Sequence, residues 1–270
     1  MPHNSSSMNN LAQRLLTGLL LATLAVSVLI WSEYGMLIFG CFVSTLAVWE
    51  FTALTHITRP QYRYTALIVS ILIWILEAFN LPFQNLLFLA VPVLGLFLLA
   101  DKQTEDPIGT VAKTVFAIAY CLLPLLLFHK ISIIHNNEYS WHIPLGIQFL
   151  SSLMDTGAYF TGRMFGKTPL APRISPKKTW EGVIGAGILT AIAGYCLHIY
   201  APIPVGNWLI ITAIIIVLNQ PGDLIESVFK RSVQIKDSSS IFPGHGGMLD
   251  RFDSMLTIIP VVYVYLTLVK

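Results

Sequence analysis

The stretch GVIGAGILTAIAGYCLHIY, residues 182–200, contains no Asp, Glu, Lys or Arg. A helix rises about 1.5 Å per residue, so a run of this length reaches across a hydrocarbon layer of ~30 Å. Working outward, eight more apolar runs of similar character cover residues 14–31, 36–55, 64–80, 83–100, 109–131, 143–163, 207–228 and 254–269. Little more than Asn80-Leu81-Pro82 separates the third from the fourth, which predicts a tight helical hairpin. The expected fold is an all-α polytopic membrane protein with nine transmembrane helices.

Composition agrees. The 270 residues are 55% hydrophobic and 11% charged, against about 25% charged in soluble domains. Net charge is only +2, so no global basic field argues for nucleic acid. Cys41, Cys121 and Cys196 are far apart in apolar runs, with neither disulfide nor metal spacing. The polar start MPHNSSSMNN, residues 1–10, is expected to be disordered. The run after Arg14 lacks a small-x-small cleavage site and reads as a retained first helix.

Charge orients the chain. With the N-terminus in the cytoplasm, fourteen of the sixteen lysines and arginines fall on the inner side, leaving Lys130 and Lys270 outside. That is the positive-inside bias. The long polar loops 164–181 and 229–253 then face the cytoplasm, where nucleotides are. The chain divides near residue 140, with apolar helices in 1–140 and the polar, functional-looking groups in 141–270.

Four constellations stand out in the second half. In the sixth span, Ser152, Asp155, Tyr159 and Gly162 form one polar stripe at helical spacing. A carboxylate near the cytoplasmic end of a span calls for a wet cavity or a partner; a hydrogen bond between helices or a pair with Arg163 is the simpler alternative. The loop LAPRISPKKTWEG, residues 170–182, places a turn at Ser175-Pro176 and gathers Arg173, Lys177 and Lys178 before a span. Such lysines serve as topology signals or bind anionic headgroups. With Thr179 and a helix start beside them, they also suit a phosphate grip.

The third constellation is LNQPGDLIESVFKRS, residues 218–232, where Pro221-Gly222 is expected to break or kink the helix. Beyond it, Asp223, Ser227, Lys230 and Arg231 share a face, and Glu226 stands one turn before Lys230 as a candidate helical ion pair. The fourth is IKDSSSIFPGHGGMLDRFDS, residues 235–254. Gly244, Gly246 and Gly247 allow close backbone approach and an anion-binding nest. Asp250 and Asp253 face one way at a helix start. Two carboxylates suit Mg2+, which takes few protein ligands beside phosphates and water; helix capping explains one of them equally well. The role of His245 within this turn is open between binding, proton transfer and packing. Glu50, Glu77, His56, His129 and His198 read as structural.

Together these blocks resemble the phosphatidate cytidylyltransferases, or CDP-diacylglycerol synthases. The resemblance rests on Ser227, Lys230-Arg231, Lys236-Asp237, Pro243 to Gly247 and Asp250-Arg251-Phe252-Asp253. It extends to GDLIES, SPKKTWEG and DTGAYFTGRMFGK, and covers about residues 150–260. The gap between Ser227 and Lys230 is one residue shorter than in the family pattern.

The resemblance implies an integral enzyme of the bacterial inner membrane that converts CTP and phosphatidate into CDP-diacylglycerol and pyrophosphate. It implies Mg2+ on Asp223, Asp250 and Asp253, with Asp237 as a further candidate. Lys230, Arg231, Lys236 and Arg251 would contact the triphosphate or the lipid phosphate. Ser175, Lys177, Lys178 and Thr179 would close over nucleotide or headgroup, Asp155 would line the cavity, and Gly244 to Gly247 would supply backbone donors. Ser227 belongs to the same substrate-binding set. A homodimer would be reasonable for such an enzyme, although no residue argues for one. The competing expectations are a cytidylyltransferase for another lipid phosphate, such as an archaeal ether lipid, and an anion transporter.

Overall fold

The computed structural model describes residues 23–57, 59–81, 92, 94, 96, 106–239, 241 and 246–270. It contains α1 (residues 23–31), α2 (Glu33–Leu54), α3 (Pro60–Ala78), α4 (Pro107–Ser132), α5 (His142–Phe165), β1 (Pro169–Ala171), β2 (Ser175–Thr179), α6 (Trp180–Tyr200), α7 (Trp208–Ser232) and α8 (Leu249–Leu268). Five helices among the described residues, α2, α4, α6, α7 and α8, are long and apolar enough to cross a membrane. The protein is a multi-pass membrane protein. The helices α3 and α5 have comparable length and carry more polar residues. The expected tail 1–10, the first half of the expected first span and nearly all of the fourth lie outside the described residues.

Two compact units emerge. One gathers the described residues up to Leu126 with Asp237–Arg251; the other holds Leu127–Lys236 with Phe252–Lys270. In the first, Ser32 caps α2 by accepting from the Gly35 amide at 3.1 Å. The missing side chain of Gly40 makes room for the Trp74 ring of α3. The Trp74 indole donates to Ser44 Oγ at 2.8 Å, so the buried ring keeps its N–H satisfied. Phe51 meets Phe116 and Tyr120 of α4 at ring separations of 5.6 and 5.7 Å. A wide π turn occupies Ile118–Leu122 of α4, just before Pro124, which lacks the N–H that would bond the preceding turn.

In the second unit α5 and α6 pack through small residues. A Cβ on Gly182 would stand 2.9 Å from the Ala158 carbonyl and 3.1 Å from Gly162 Cα. Thr161 Oγ1 donates to the Gly182 carbonyl at 2.9 Å. Small side chains give membrane helices this closeness.

Three expectations need correction. The fold is not purely helical: β1 and β2 form an antiparallel hairpin in the loop between α5 and α6. Its turn lies at residues 172–174, closed by the Ile174 amide on the Ala171 carbonyl at 3.1 Å, and Ser175-Pro176 lies in β2. A two-stranded ribbon tolerates that proline because an outward-facing N–H has no ladder partner to lose. Third, α7 runs unbroken through Pro221 to Ser232. One lost backbone hydrogen bond is outweighed by the packing of the continuous helix, which at Gly222 touches the backbone of Ser254.

Candidate active site

A cavity of about 440 Å3 opens in the second unit. It is lined by Asp155, Tyr159, Gly162 and Arg163 of α5, Lys177, Lys178 and Thr179 of β2, and Gln220 and Asp223 of α7, among others. Helical spacing aims the α5 groups at one face. Thr179 ends the strand and caps α6, its Oγ1 accepting from the Gly182 amide at 3.3 Å. Glu181 fixes the base of the hairpin by accepting from the Lys167 and Thr168 amides at 3.1 Å. The lysines are therefore held on an anchored ribbon.

Asp223 is engaged on both oxygens. Lys178 Nζ lies 2.5 Å from Oδ2, and the Ser227 hydroxyl donates to Oδ1 at 3.2 Å. Asp155 Oδ1 accepts from Asn219 Nδ2 at 2.5 Å. The Asn219 oxygen in turn accepts from the Ser151 hydroxyl at 2.7 Å. The partly buried Asp253, in the first turns of α8, lies within electrostatic reach of Asp223 and Asp155, with Lys230 as opposing cation. Lys230 and Glu226 form the ion pair that their spacing suggested, both buried. Arg231 donates to the carbonyls of Ile174 and Ile235 at 3.3 and 2.7 Å, tying the hairpin turn to the end of α7. Ser175 is half-buried in β2, while Lys236, Asp237 and Arg251 are exposed.

In the first unit the glycine turn runs into α8. Asp250 Oδ2 accepts from the Ser238 amide at 2.9 Å, the Ser238 hydroxyl at 2.9 Å and the Gly247 amide at 2.8 Å. Gly246 has φ of +78°, a conformation that favours glycine, and a Cβ there would press on Asp250 at 2.6 Å. Gly244 and His245 lie outside the described residues.

Residues 12–269 match the family described as the cytidylyltransferase family. The chain belongs to this family. A curated phosphatidate cytidylyltransferase of Haemophilus influenzae is 35% identical over 93% of this chain and 96% of its own length. Its counterpart in Bacillus subtilis is 31% identical over 97% and 99%, and that of Brucella suis 30% identical over 96% and 94%.

Cytidylyltransferase chemistry implies a divalent cation. Among the described residues no three His, Cys, Asp or Glu side chains stand close enough to enclose one unaided. The donor set still fits a cation shared with substrate. Asp223, in the cavity lining, and Asp253 are like charges within mutual electrostatic reach, and hard cations take such oxygens together with phosphates.

Three polar residues are not among the candidates read from the sequence: Asn219, which bonds Asp155, Gln220, which lines the cavity, and Glu50 in the first unit. The first two are polar residues at the end of an apolar run, directly before Pro221-Gly222, and that position was their signal. Glu50 is a carboxylate within an apolar helix, 1% exposed, a default pointer to function in a membrane.

Gly222 bears on this geometry. A Cβ there would stand 2.8 Å from Ser254 Cα and 3.3 Å from the Asp253 carbonyl. These are backbone atoms that cannot step aside. Gly222→Ala gains up to about 1 kcal/mol of helix propensity and loses about 1–3 kcal/mol to overpacking. The expected net result is a lower melting temperature in detergent and a reduced turnover as α7 and α8 separate beside Asp223 and Asp253.

Proposed function

We propose that this protein transfers the CMP moiety of CTP to phosphatidate, forming CDP-diacylglycerol and pyrophosphate for phospholipid synthesis. The observation that carries this reading is the cavity combining Asp155 and Asp223 with Lys177, Lys178 and Arg163 in a chain whose relatives bear that activity's name along their whole length.

The chemistry needs little from side chains in the way of nucleophiles. The lipid phosphate is a monoester with second pKa near 6, so it is ionised at neutral pH. One of its oxygens attacks the α-phosphorus of CTP, the bond to the β-phosphate oxygen breaks, and pyrophosphate leaves with the electron pair. What the protein supplies is in-line positioning and charge stabilisation. Lys177 and Lys178 hold phosphate oxygens from the anchored hairpin, and Arg163 adds a cation from α5. Asp155, oriented by Asn219, keeps its carboxylate toward the cavity. Ser175 and Thr179 support the same ribbon, and Ser227 orients Asp223. Arg231 holds the hairpin turn in place, while Lys236 and Arg251 offer exposed cations to a triphosphate or headgroup.

Asp223 and Asp253 would hold the divalent cation, Mg2+ in this reading, and the family resemblance adds Asp250 to them. When bound, it neutralises the triphosphate and the leaving pyrophosphate. In the proposed topology nine helices cross the cytoplasmic membrane of a bacterium with the N-terminus inside, and catalytic groups lie after residue 140 at the cytoplasmic side. The inward bias of lysine and arginine supports it.

The test is detergent-purified protein given CTP, phosphatidate and Mg2+, with pyrophosphate and CDP-diacylglycerol both measured. The expected outcome is stoichiometric formation of both, dependent on lipid and metal. Folded protein that releases no pyrophosphate with phosphatidate overturns the proposal; turnover of a different lipid phosphate would then name the true acceptor.

A further inference from the structure

The geometry points to Glu50 as a positioning residue that fixes the start of α8 for nucleotidyl transfer, an inference that rests on the function proposed above. Its carboxylate is 1% exposed. A carboxylate so buried costs several kcal/mol unless its oxygens are satisfied. Here four donors meet it. Oε1 accepts from the Ser239 hydroxyl at 2.7 Å and the Met248 amide at 2.9 Å. Oε2 accepts from the Leu249 amide at 2.8 Å, with the Ser238 hydroxyl at 3.1 Å.

The two amides are the informative partners. The first N–H groups of a helix have no intrahelical acceptor, and negative charge is favoured where they point. The start of α8 is capped from α2, almost two hundred residues earlier in the chain. Gly247 permits the approach, since a Cβ there would lie 2.5 and 2.6 Å from the two Glu50 oxygens. The Ser238 hydroxyl reaches both Glu50 Oε2 and Asp250 Oδ2, and its single proton links the two carboxylates. Glu50 therefore sets where Asp250 stands, and Asp253 follows one turn later on the same helix. Neither a topology signal nor a packing role calls for four convergent donors from the turn that leads into the two aspartates.

The test uses the full chain in detergent with Glu50→Gln. Glutamine keeps the shape but turns an N–H2 toward one of the two helix-start amides, opposing donor to donor. The expected results are a fall in kcat of about tenfold or more and a comparable weakening of Mn2+ binding, read from the free-ion EPR signal in the presence of CTP. A Glu50 that merely stabilised the fold would lower the active fraction and leave the Mn2+ midpoint unmoved. Folded Glu50→Gln with a wild-type Mn2+ midpoint overturns the inference. Should that variant fail to fold, Ser239→Ala removes a single donor; a Mn2+ midpoint raised severalfold supports the inference and an unchanged one overturns it. A shifted midpoint in a protein whose wild type does not turn over phosphatidate would sink the proposed reaction and leave the Glu50 contact standing.

Discussion

Replacing Asp223 with Asn is expected to lower CDP-diacylglycerol formation roughly 100- to 1,000-fold, the scale of removing one preorganised electrostatic group from a reacting centre. The same change should affect folding far less than activity. The Lys178 and Asp223 side chains are 19% and 27% exposed, and although Lys178 Nζ itself is covered, Asn leaves it an oxygen to face. Asn also keeps an oxygen for the Ser227 hydroxyl. Activity and stability are thereby predicted to separate. Incorporation of labelled CTP into lipid, set beside the detergent melting temperature, measures both. A variant that melts as wild type and retains more than about a tenth of the activity would remove Asp223 from the reacting centre.

Lys230→Met is expected to act in the opposite way, chiefly on stability. Lys230 and Glu226 are both buried, with side chains 9% and 0% exposed. Removing one member of a buried pair costs about 3–5 kcal/mol because the remaining charge loses its counter-ion. Changing both, as Glu226→Gln with Lys230→Met, should restore most of that loss. The melting temperatures of the two variants check the coupling. The double variant then isolates the catalytic question. If the ammonium also serves substrate, the restored fold will still turn over slowly; wild-type turnover would assign Lys230 to the pair alone.

The sequence made the helices legible because spanning length and apolar composition are local properties. The runs 182–200 and 207–228 reappear as Trp180–Tyr200 and Trp208–Ser232. The β-hairpin was not legible: strands of three and five residues, one of them SPKKT, are too short and too polar to show an alternating pattern. Of the break or kink expected at Pro221, the break is absent, because close packing at Gly222 favours a continuous helix. Within the site, Asp155 and Asp223 stand out as carboxylates in or beside apolar spans, and Lys177, Lys178 and Thr179 as a basic loop at a helix start; all five line one cavity. Asn219 was passed over because amides carry no charge to flag. Glu50 could not be assigned its partners because they come 188 to 199 residues later, a separation no local pattern spans.

That separation has a consequence for biogenesis. At roughly 5–20 residues per second, the ribosome needs about 10–40 seconds after making Glu50 to deliver Ser238, Met248 and Leu249. Throughout that interval a carboxylate of a freshly inserted apolar helix must keep water or borrow a temporary donor. The site around Glu50 thus stays incomplete until the chain has emerged past residue 249. A nascent chain stalled before residue 238 presents a stranded charge, the kind of defect by which membrane proteases and insertion chaperones can tell an unfinished product from a finished one.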